Sequence, residues 1–239
     1  MAIIHHKIGI GHHTLVNTHY LSDTDAAVFS PNYWTSRDAV KGQAMGRGTT
    51  LFVQPDSQQQ WVLRHYRRGG LIGKVLTDQF LYAGLHRTRP FMELHLLDYM
   101  QQCGLNVPVG IGAQVKRSGL IYRADLLTMR IPEARDLHHV LTEQPLDDAT
   151  WKAVGSAIRK MHDAQVYHHD LNVRNIMLDK QEQVWIIDFD RCAKCNASGW
   201  KKTNLERLRR SFEKELGRSP TFYWDQQNWN TLINGYQDA

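Results

Sequence analysis

The sequence is poor in cysteine and has no apolar run long enough to span a membrane. Only three of its 239 residues are cysteines, which excludes a disulfide-rich secreted scaffold. A spanning helix needs about 18 or more mostly apolar residues, and the amino terminus lacks the apolar core and cleavage site of a signal peptide. We therefore expect a cytoplasmic protein. Cys192 and Cys195 form one C-x-x-C pair. A zinc site would need two more ligands, for which the thirteen histidines offer many chance candidates. Plain reduced thiols are favoured.

Internal repeats, low-complexity tracts and long linkers are also absent, and the length suits one large domain or two packed lobes. The net charge of +5 is unevenly distributed. Residues 191–218 contain nine Lys or Arg and three Asp or Glu, a local excess of +6. Such a block indicates an anionic partner, namely phosphates, an acidic sugar, an anionic membrane surface or nucleic acid. The alternative is a solvated helix face.

The amino-terminal half predicts a mostly antiparallel sheet with one helix. Residues 1–40 have no readable pattern. The following segments predict a glycine-rich hairpin at 42–53 and 61–66, a helix at 90–104, and strands at 107–117 and 120–129.

Beyond residue 130 the pattern becomes mainly helical. Apolar residues at 151, 154, 158 and 161 predict a helix over 147–164. A loop and a buried strand at 184–187 follow. An amphipathic helix is predicted over 203–217, with a capping box at Thr203 and Glu206. We expect two lobes, 1–130 and 131–239.

The most informative segment is the loop at 168–175, which reads HHDLNVRN. It resembles the H-x-D-L-x-x-x-N catalytic loop of protein kinases, and Asp188-Phe189-Asp190 resembles their D-F-G element. Phosphoryl transfer needs a carboxylate that accepts the proton of the acceptor hydroxyl, and Mg²⁺ held by hard oxygen ligands. The resemblance implies that Asp170 is the catalytic base and that Asn175 and Asp188 are Mg²⁺ ligands.

The nucleotide phosphates need a second set of residues in the amino-terminal half. Gly46, Arg47 and Gly48 lie where a kinase nucleotide loop belongs, although the segment is not G-x-G-x-x-G and an ordinary turn is the alternative. Arg64 occupies the position of the lysine in V-A-I-K, and Glu93 is its candidate partner. An exposed strand residue is the alternative for Arg64.

No A-P-E element follows Asp190, which favours a small-molecule or lipid-linked acceptor over a peptide. Several stretches together resemble the 3-deoxy-D-manno-octulosonic acid (Kdo) kinases of Gram-negative bacteria, which are related to the lipopolysaccharide core heptose kinases. The stretches are GRGTT (46–50), LRHYRRGGLIGK (63–74), RPFMELHLL (89–97), DLNVRNIMLD (170–179), WIIDFDRC (185–192) and WKKTNLERLRRSFEKE (200–215).

This resemblance implies an α+β, protein-kinase-like bilobal fold, with an amino-terminal nucleotide-binding lobe and a mainly helical catalytic lobe. It implies transfer of the γ-phosphoryl group of ATP to O-4 of Kdo, on Kdo-lipid A or its precursor. The acceptor is polyanionic and lipid-linked, so block 191–218 and Arg67, Arg68 and Lys74 are candidates to receive it. Peripheral contact with the anionic inner face of the inner membrane follows, and nucleic acid is not an expected partner.

Other functions compete with this interpretation. A heptose kinase acting on the lipopolysaccharide core is the nearest alternative, and an antibiotic or small-metabolite phosphotransferase is more distant. A different class is a basic membrane- or nucleic-acid-binding module, or a pseudokinase that binds nucleotide without transferring phosphate. The intact set of Asp170, Asn175 and Asp188 favours an enzyme.

Overall fold

A computed structural model describes residues 3–21, 26–44, 50–68, 77–197 and 199–239. The chain divides into two compact units. The first comprises residues up to 98 together with 109–130, and the second comprises 99–108 together with 131–239. The change of unit after Arg130 coincides with the change of pattern in the sequence, whereas the short segment 99–108 lies with the second unit.

The first unit is built on an eight-stranded sheet in which the paired strands are antiparallel. Its elements are β1 (Ile3–Gly9), β2 (His12–Asn17), α1 (Pro31–Thr35), β3 (Val40–Ala44), β4 (Thr50–Val53), β5 (Trp61–His65), β6 (Phe80–Leu81), α2 (Arg89–Gln102), β7 (Gly110–Ser118) and β8 (Ile121–Met129). The strand order is β1-β2-β7-β8-β5-β4-β3, and β6 also pairs with β8. The end of α2 belongs to the second unit.

The predicted hairpin is confirmed as β4 and β5, whose buried residues alternate with less buried ones. Leu51 pairs with Leu63 and Val53 pairs with Trp61, and all four are buried. Alternation with a period of two is the pattern expected of a strand that buries one face. It fixes the register, because a slip by one residue would expose this apolar set.

The β1–β2 hairpin was missed by sequence reasoning, which found no pattern in residues 1–40. The reason is that β2 is buried on both faces where it pairs with β7. Its consecutive residues Thr14, Leu15, Val16 and Asn17 are all buried, so polar and apolar residues do not alternate. Asn17 is satisfied by donating from Nδ2 to the Gly110 carbonyl oxygen at 3.0 Å, a long-range contact that no local pattern reveals.

The second unit is dominated by helices, with two small antiparallel sheets. Its elements are β9 (Arg135–Asp136), α3 (Leu137–Glu143), α4 (Asp148–Asp163), β10 (Val166–Tyr167), β11 (Ile176–Leu178), β12 (Val184–Ile186), β13 (Ala193–Lys194), α5 (Trp200–Leu216) and α6 (Gln226–Gln237). β11 lies between β9 and β12, and β10 pairs with β13. The α+β class is confirmed, as is the long helix α4, which Asp147 caps by accepting from the Thr150 N–H.

The predicted start of α5 is wrong, because the helix begins at Trp200 and Thr203 lies inside it. Gly199 is the N-cap residue, so the predicted capping box is not formed. The Trp200 ring contacts the His162 and Tyr167 rings at centroid distances of 4.9 and 5.8 Å. These tertiary contacts stabilise the first turn of α5. The helix therefore begins before Thr203, where the local capping pattern predicted its start.

Helices α4 and α6 cross at two buried glycines. A Cβ atom on Gly155 would lie 2.0 Å from the Leu232 carbonyl oxygen, and one on Gly235 would lie 2.3 Å from the Lys152 carbonyl oxygen. Backbone atoms cannot move aside as a flexible side chain can. The two glycines therefore set the close approach of these helices.

We expect Gly155→Ala to lower the free energy of unfolding by about 3 kcal/mol, because the added methyl group forces the helices apart. This loss outweighs the gain of about 1 kcal/mol in helix propensity. Urea denaturation measures it. Gly217→Ala is the matched control, since the nearest atoms to its Cβ would be at 3.8 Å. Equal unfolding midpoints for the two variants would contradict the tight crossing.

Candidate active site

The loop that contains Asp170 is organised around the buried ring of His168. His168 Nε2 lies 3.0 Å from the Ile187 carbonyl oxygen, to which it donates, and Nδ1 accepts from the Asp170 N–H at 3.2 Å. Burial lowers the pKa of His168, so the ring is neutral. Phe189 packs on it at a centroid distance of 4.9 Å. His168 therefore joins the loop to the segment after β12, as a brace and not as a base.

Asn204, on α5, holds the backbone of His168 from the other side. Its Nδ2 donates to the His168 carbonyl oxygen at 2.8 Å, and its Oδ1 accepts from the His168 N–H at 3.3 Å. The same Oδ1 lies 3.4 Å from His162 Nε2, and His162 Nδ1 lies 2.9 Å from Tyr236 Oη. Burial lowers the pKa of His162 to about 4, so this ring is neutral as well. A buried polar chain thus runs from α6 to the candidate catalytic loop.

Sequence reasoning did not identify Asn204 or His162 as supports of the site. Asn204 lies 36 residues after His168, and its partners are backbone atoms, so the sequence carries no motif for this contact. The sequence offered one signal for Asn204, which is that it lies within the stretch 200–215 that resembles the Kdo kinases.

We expect Asn204→Ala to destabilise the protein by about 1 to 3 kcal/mol, because it leaves buried polar groups of His168 unpaired. The rate of the catalysed reaction should fall as well, since the Asp170 loop loses one of its attachments to α5. Urea denaturation and initial rates measure the two effects. Asn230→Ala is the control, because Asn230 is exposed and accepts a hydrogen bond from the Gln226 side chain. If the urea unfolding midpoint of Asn204→Ala equalled that of Asn230→Ala, the bracing role of Asn204 would be refuted.

Asp170 presents an ionised carboxylate at the surface of this loop. Its side chain is 49% exposed and forms an ion pair with Arg207 on α5. Partial burial raises the pKa of Asp170, but the hydrogen bond and charge of Arg207 outweigh that effect, so the pKa lies below its usual value. The Asp170 carbonyl oxygen accepts from Asn172 Nδ2 and Asn175 Nδ2, each at 2.9 Å. An ionised carboxylate on a tied loop is suited to orient a hydroxyl group and accept its proton.

Asn175 and Asp188 lie on neighbouring backbone segments. Asn175 directly precedes β11 and Asp188 follows β12, while Ile176 pairs with Ile186. The Ile187 N–H donates to the Asn175 carbonyl oxygen at 3.0 Å. Asp188 is exposed and has a φ of 63°, a left-handed conformation that aspartate tolerates better than most residues.

These two side chains fit a Mg²⁺ ion chemically. Asn175 uses its amide nitrogen to donate to the Asp170 carbonyl oxygen, which leaves the amide oxygen to coordinate a cation. Asp188 supplies a carboxylate, and Mg²⁺ is typically held by one or two carboxylates together with water and substrate phosphates. Within the described ranges there is no cluster of three or more His, Cys, Asp or Glu arranged for a metal. Such a cluster is not required for Mg²⁺.

The predicted pair of Arg64 and Glu93 is formed in the first unit. Arg64 Nη2, on β5, lies 2.5 and 2.6 Å from the two carboxylate oxygens of Glu93, on α2. Tyr66 Oη also donates to Glu93 Oε2, at 2.5 Å. The Glu93 side chain is only 4% exposed, so its charge is compensated by these partners. Gly46, Arg47 and Gly48 lie outside the described residues.

The α+β fold and the motif order of this site are those expected for a kinase. Comparison with known families agrees, because residues 31–236 match the model of the lipopolysaccharide kinase (Kdo/WaaP) family. The chain belongs to that family. The resemblance inferred from the sequence is thereby confirmed.

Relatives with assigned names match most of the chain. A protein of Vibrio cholerae serotype O1 is 51% identical over 187 residues, which are 78% of this chain and 79% of the relative. One of Vibrio parahaemolyticus is 47% identical over 212 residues, 89% and 88% of the two chains. One of Haemophilus influenzae is 44% identical over 218 residues, 87% and 89% of the two chains. Each is named 3-deoxy-D-manno-octulosonic acid kinase.

Proposed function

We propose that this protein transfers the γ-phosphoryl group of ATP to O-4 of Kdo, on Kdo-lipid A or its precursor, in lipopolysaccharide core biosynthesis. The observation that carries the proposal is the 51% identity, over 78% of the chain, to a relative named 3-deoxy-D-manno-octulosonic acid kinase. Membership of the lipopolysaccharide kinase family supports it. The choice of O-4 rests on the resemblance to the Kdo kinases.

Asp170 is the proposed catalytic base, because its carboxylate is ionised and lies on a loop held by His168 and Asn204. It accepts the hydrogen bond, and then the proton, of the acceptor hydroxyl as the phosphoryl group is transferred. Asn175 and Asp188 are the proposed Mg²⁺ ligands. The bound ion neutralises charge on the nucleotide phosphates.

The proposed nucleotide-binding residues are Arg64, Glu93, Gly46, Arg47 and Gly48. Glu93 holds the guanidinium group of Arg64 in one orientation, and that group has five N–H donors, so it can also bind a phosphate oxygen. In the proposed bilobal, protein-kinase-like arrangement, residues 1–130 bind the nucleotide and residues 131–239 carry catalysis and acceptor binding.

The proposed location is the cytoplasmic face of the bacterial inner membrane, with peripheral attachment. In the described part of the chain, no helix is both long and apolar enough to cross a bilayer. The proposed acceptor is lipid-linked and anionic, and the basic block 191–218 suits an anionic membrane surface. Nucleic acid is not a proposed partner.

A competition assay tests the acceptor. The protein is supplied with labelled ATP and Mg²⁺, Kdo-lipid IVA, and a heptosylated core acceptor at equal concentration. We expect Kdo-lipid IVA to be labelled when it is the sole acceptor. When both acceptors are present, we expect Kdo-lipid IVA to receive more label than the heptosylated acceptor. Labelling of the heptosylated acceptor alone would identify a heptose kinase and overturn the proposal. Nucleotide binding without transfer to either acceptor would indicate a pseudokinase.

A further inference from the structure

Helix α5 presents a basic stripe toward solvent, consisting of Arg207, Arg210 and Lys214. Positions separated by three, four and seven residues share one side of a helix, and all three side chains are exposed. The opposite side packs into the second unit through Leu208 and Phe212, which are buried. Arg207 is the member of this stripe that contacts Asp170.

The position of Arg207 is not explained by stability. The guanidinium group and the Asp170 carboxylate are 45% and 49% exposed, and exposed ion pairs contribute only about 0 to 1 kcal/mol. The loop is already attached to α5 by Asn204, as described above, and by Ser211, whose Oγ accepts from the Val173 N–H at 3.0 Å. The Arg207 contact therefore adds little to the attachment.

Four other cations of this region have carboxylate partners that take no part in the proposed reaction. These pairs are Lys201 with Asp163, Lys202 with Glu206, Arg209 with Glu213, and Arg174 with Glu215. The carboxylate partner of Arg207 is the proposed base. An ionised carboxylate can accept about four hydrogen bonds, so Asp170 can bind the acceptor hydroxyl while it is paired, but the ion pair turns its carboxylate toward α5. A second carboxylate can take the place of Asp170 on the guanidinium group and free it to turn toward the hydroxyl.

We propose that Arg207 binds the carboxylate group of a sugar-acid acceptor, which displaces Asp170 from the guanidinium group. This assignment rests on the proposed function, because Kdo is a sugar acid. In Kdo, the carbon that bears the carboxylate and the carbon that bears O-4 are separated by one ring carbon. The two groups can therefore reach the adjacent Arg207 and Asp170 side chains at the same time.

The exchange couples recognition to catalysis. A planar guanidinium group pairs with a carboxylate through two parallel hydrogen bonds, which gives orientation as well as affinity. An acceptor without the carboxylate would lose this contact and would also leave Asp170 paired with Arg207. Such an acceptor should show a lower kcat as well as a higher KM, whereas loss of a simple binding contact would change KM alone.

The test compares Kdo-lipid IVA with the same acceptor carrying its Kdo carboxylate as a methyl ester. For the full-length wild-type protein we expect kcat/KM to favour the free acid by about 10- to 100-fold, the usual range for a hydrogen-bonded charge pair. In Arg207→Gln the ratio should fall to near unity, and in Arg207→Lys it should be intermediate. Arg209→Gln removes the same charge from the same helix away from Asp170 and should keep the wild-type ratio.

A wild-type acid-to-ester ratio in Arg207→Gln would overturn the assignment. If Arg207→Gln turns over too slowly for kinetic measurement, calorimetry can compare its affinities for the acid and the ester. Equal affinities would support the assignment. A retained preference for the acid would overturn it. Failure of the wild-type protein to phosphorylate either acceptor is a separate outcome. That result would contradict the proposed function itself.

Discussion

Asp170→Asn is expected to reduce the rate of phosphoryl transfer by about 10²- to 10⁴-fold, the usual contribution of a general base. The amide has the same shape as the carboxylate but cannot accept the proton of the hydroxyl group. The backbone N–H and carbonyl oxygen of residue 170, which hold the loop to His168 and Asn175, are unchanged by the substitution. Initial rates with labelled ATP and Kdo-lipid IVA measure the effect.

The control for this variant is Asp163→Asn. Asp163 is also 49% exposed and also paired with an arginine, Arg159, but it lies at the end of α4, and its second ion-pair partner is Lys201, outside the loop. Both variants should melt within a few degrees of the wild-type protein, because exposed ion pairs contribute little to stability. An unchanged transfer rate in Asp170→Asn would remove Asp170 from the base role. An equal loss of rate in Asp163→Asn would show that the effect is not specific to the site.

Asp188→Ala is expected to raise the Mg²⁺ concentration needed for half-maximal rate by about 100-fold or more, because loss of a group that merely supports a ligand already costs 10- to 100-fold. The Mg²⁺-dependent part of ATP binding should weaken in parallel, and calorimetry measures it without turnover. Glu182→Gln is the control, since Glu182 is an exposed carboxylate in the turn between β11 and β12 and also has a positive φ, of 58°. The same Mg²⁺ requirement in Asp188→Ala and in the control would exclude Asp188 as a ligand.

The proximity of the candidate catalytic residues could be predicted from the sequence because their arrangement is local. Asp170 and Asn175 lie in one loop, and Asn175 and Asp188 flank the two paired strands of one hairpin. Residue order therefore determines which side chains are neighbours. The Arg64–Glu93 contact could also be predicted, because a basic residue on a strand and an acidic residue on a helix matched a known pairing of elements.

The contacts that support the loop could not be predicted in this way. Asn204 reaches His168 across 36 residues, and Arg207 reaches Asp170 across 37. The excess of positive charge in 191–218 was evident from the sequence, but not which of its nine basic residues lies beside Asp170. Strand β2 could not be recognised because it is buried on both faces. The start of α5 was wrongly predicted because it depends on tertiary contacts of Trp200. Each of these features depends on packing between distant parts of the chain, which periodicity and capping rules do not describe.

The most direct test of the central claim is to determine where the phosphate group lies in the product. The protein is incubated with ATP, Mg²⁺ and Kdo-lipid IVA, and the product is analysed by phosphorus–proton correlation NMR. We predict one new phosphate monoester, coupled to the ring proton at the carbon that bears O-4 of Kdo. A product phosphorylated on the lipid portion of the acceptor, or no product under conditions in which ATP binds, would contradict the assignment of this protein as a Kdo kinase.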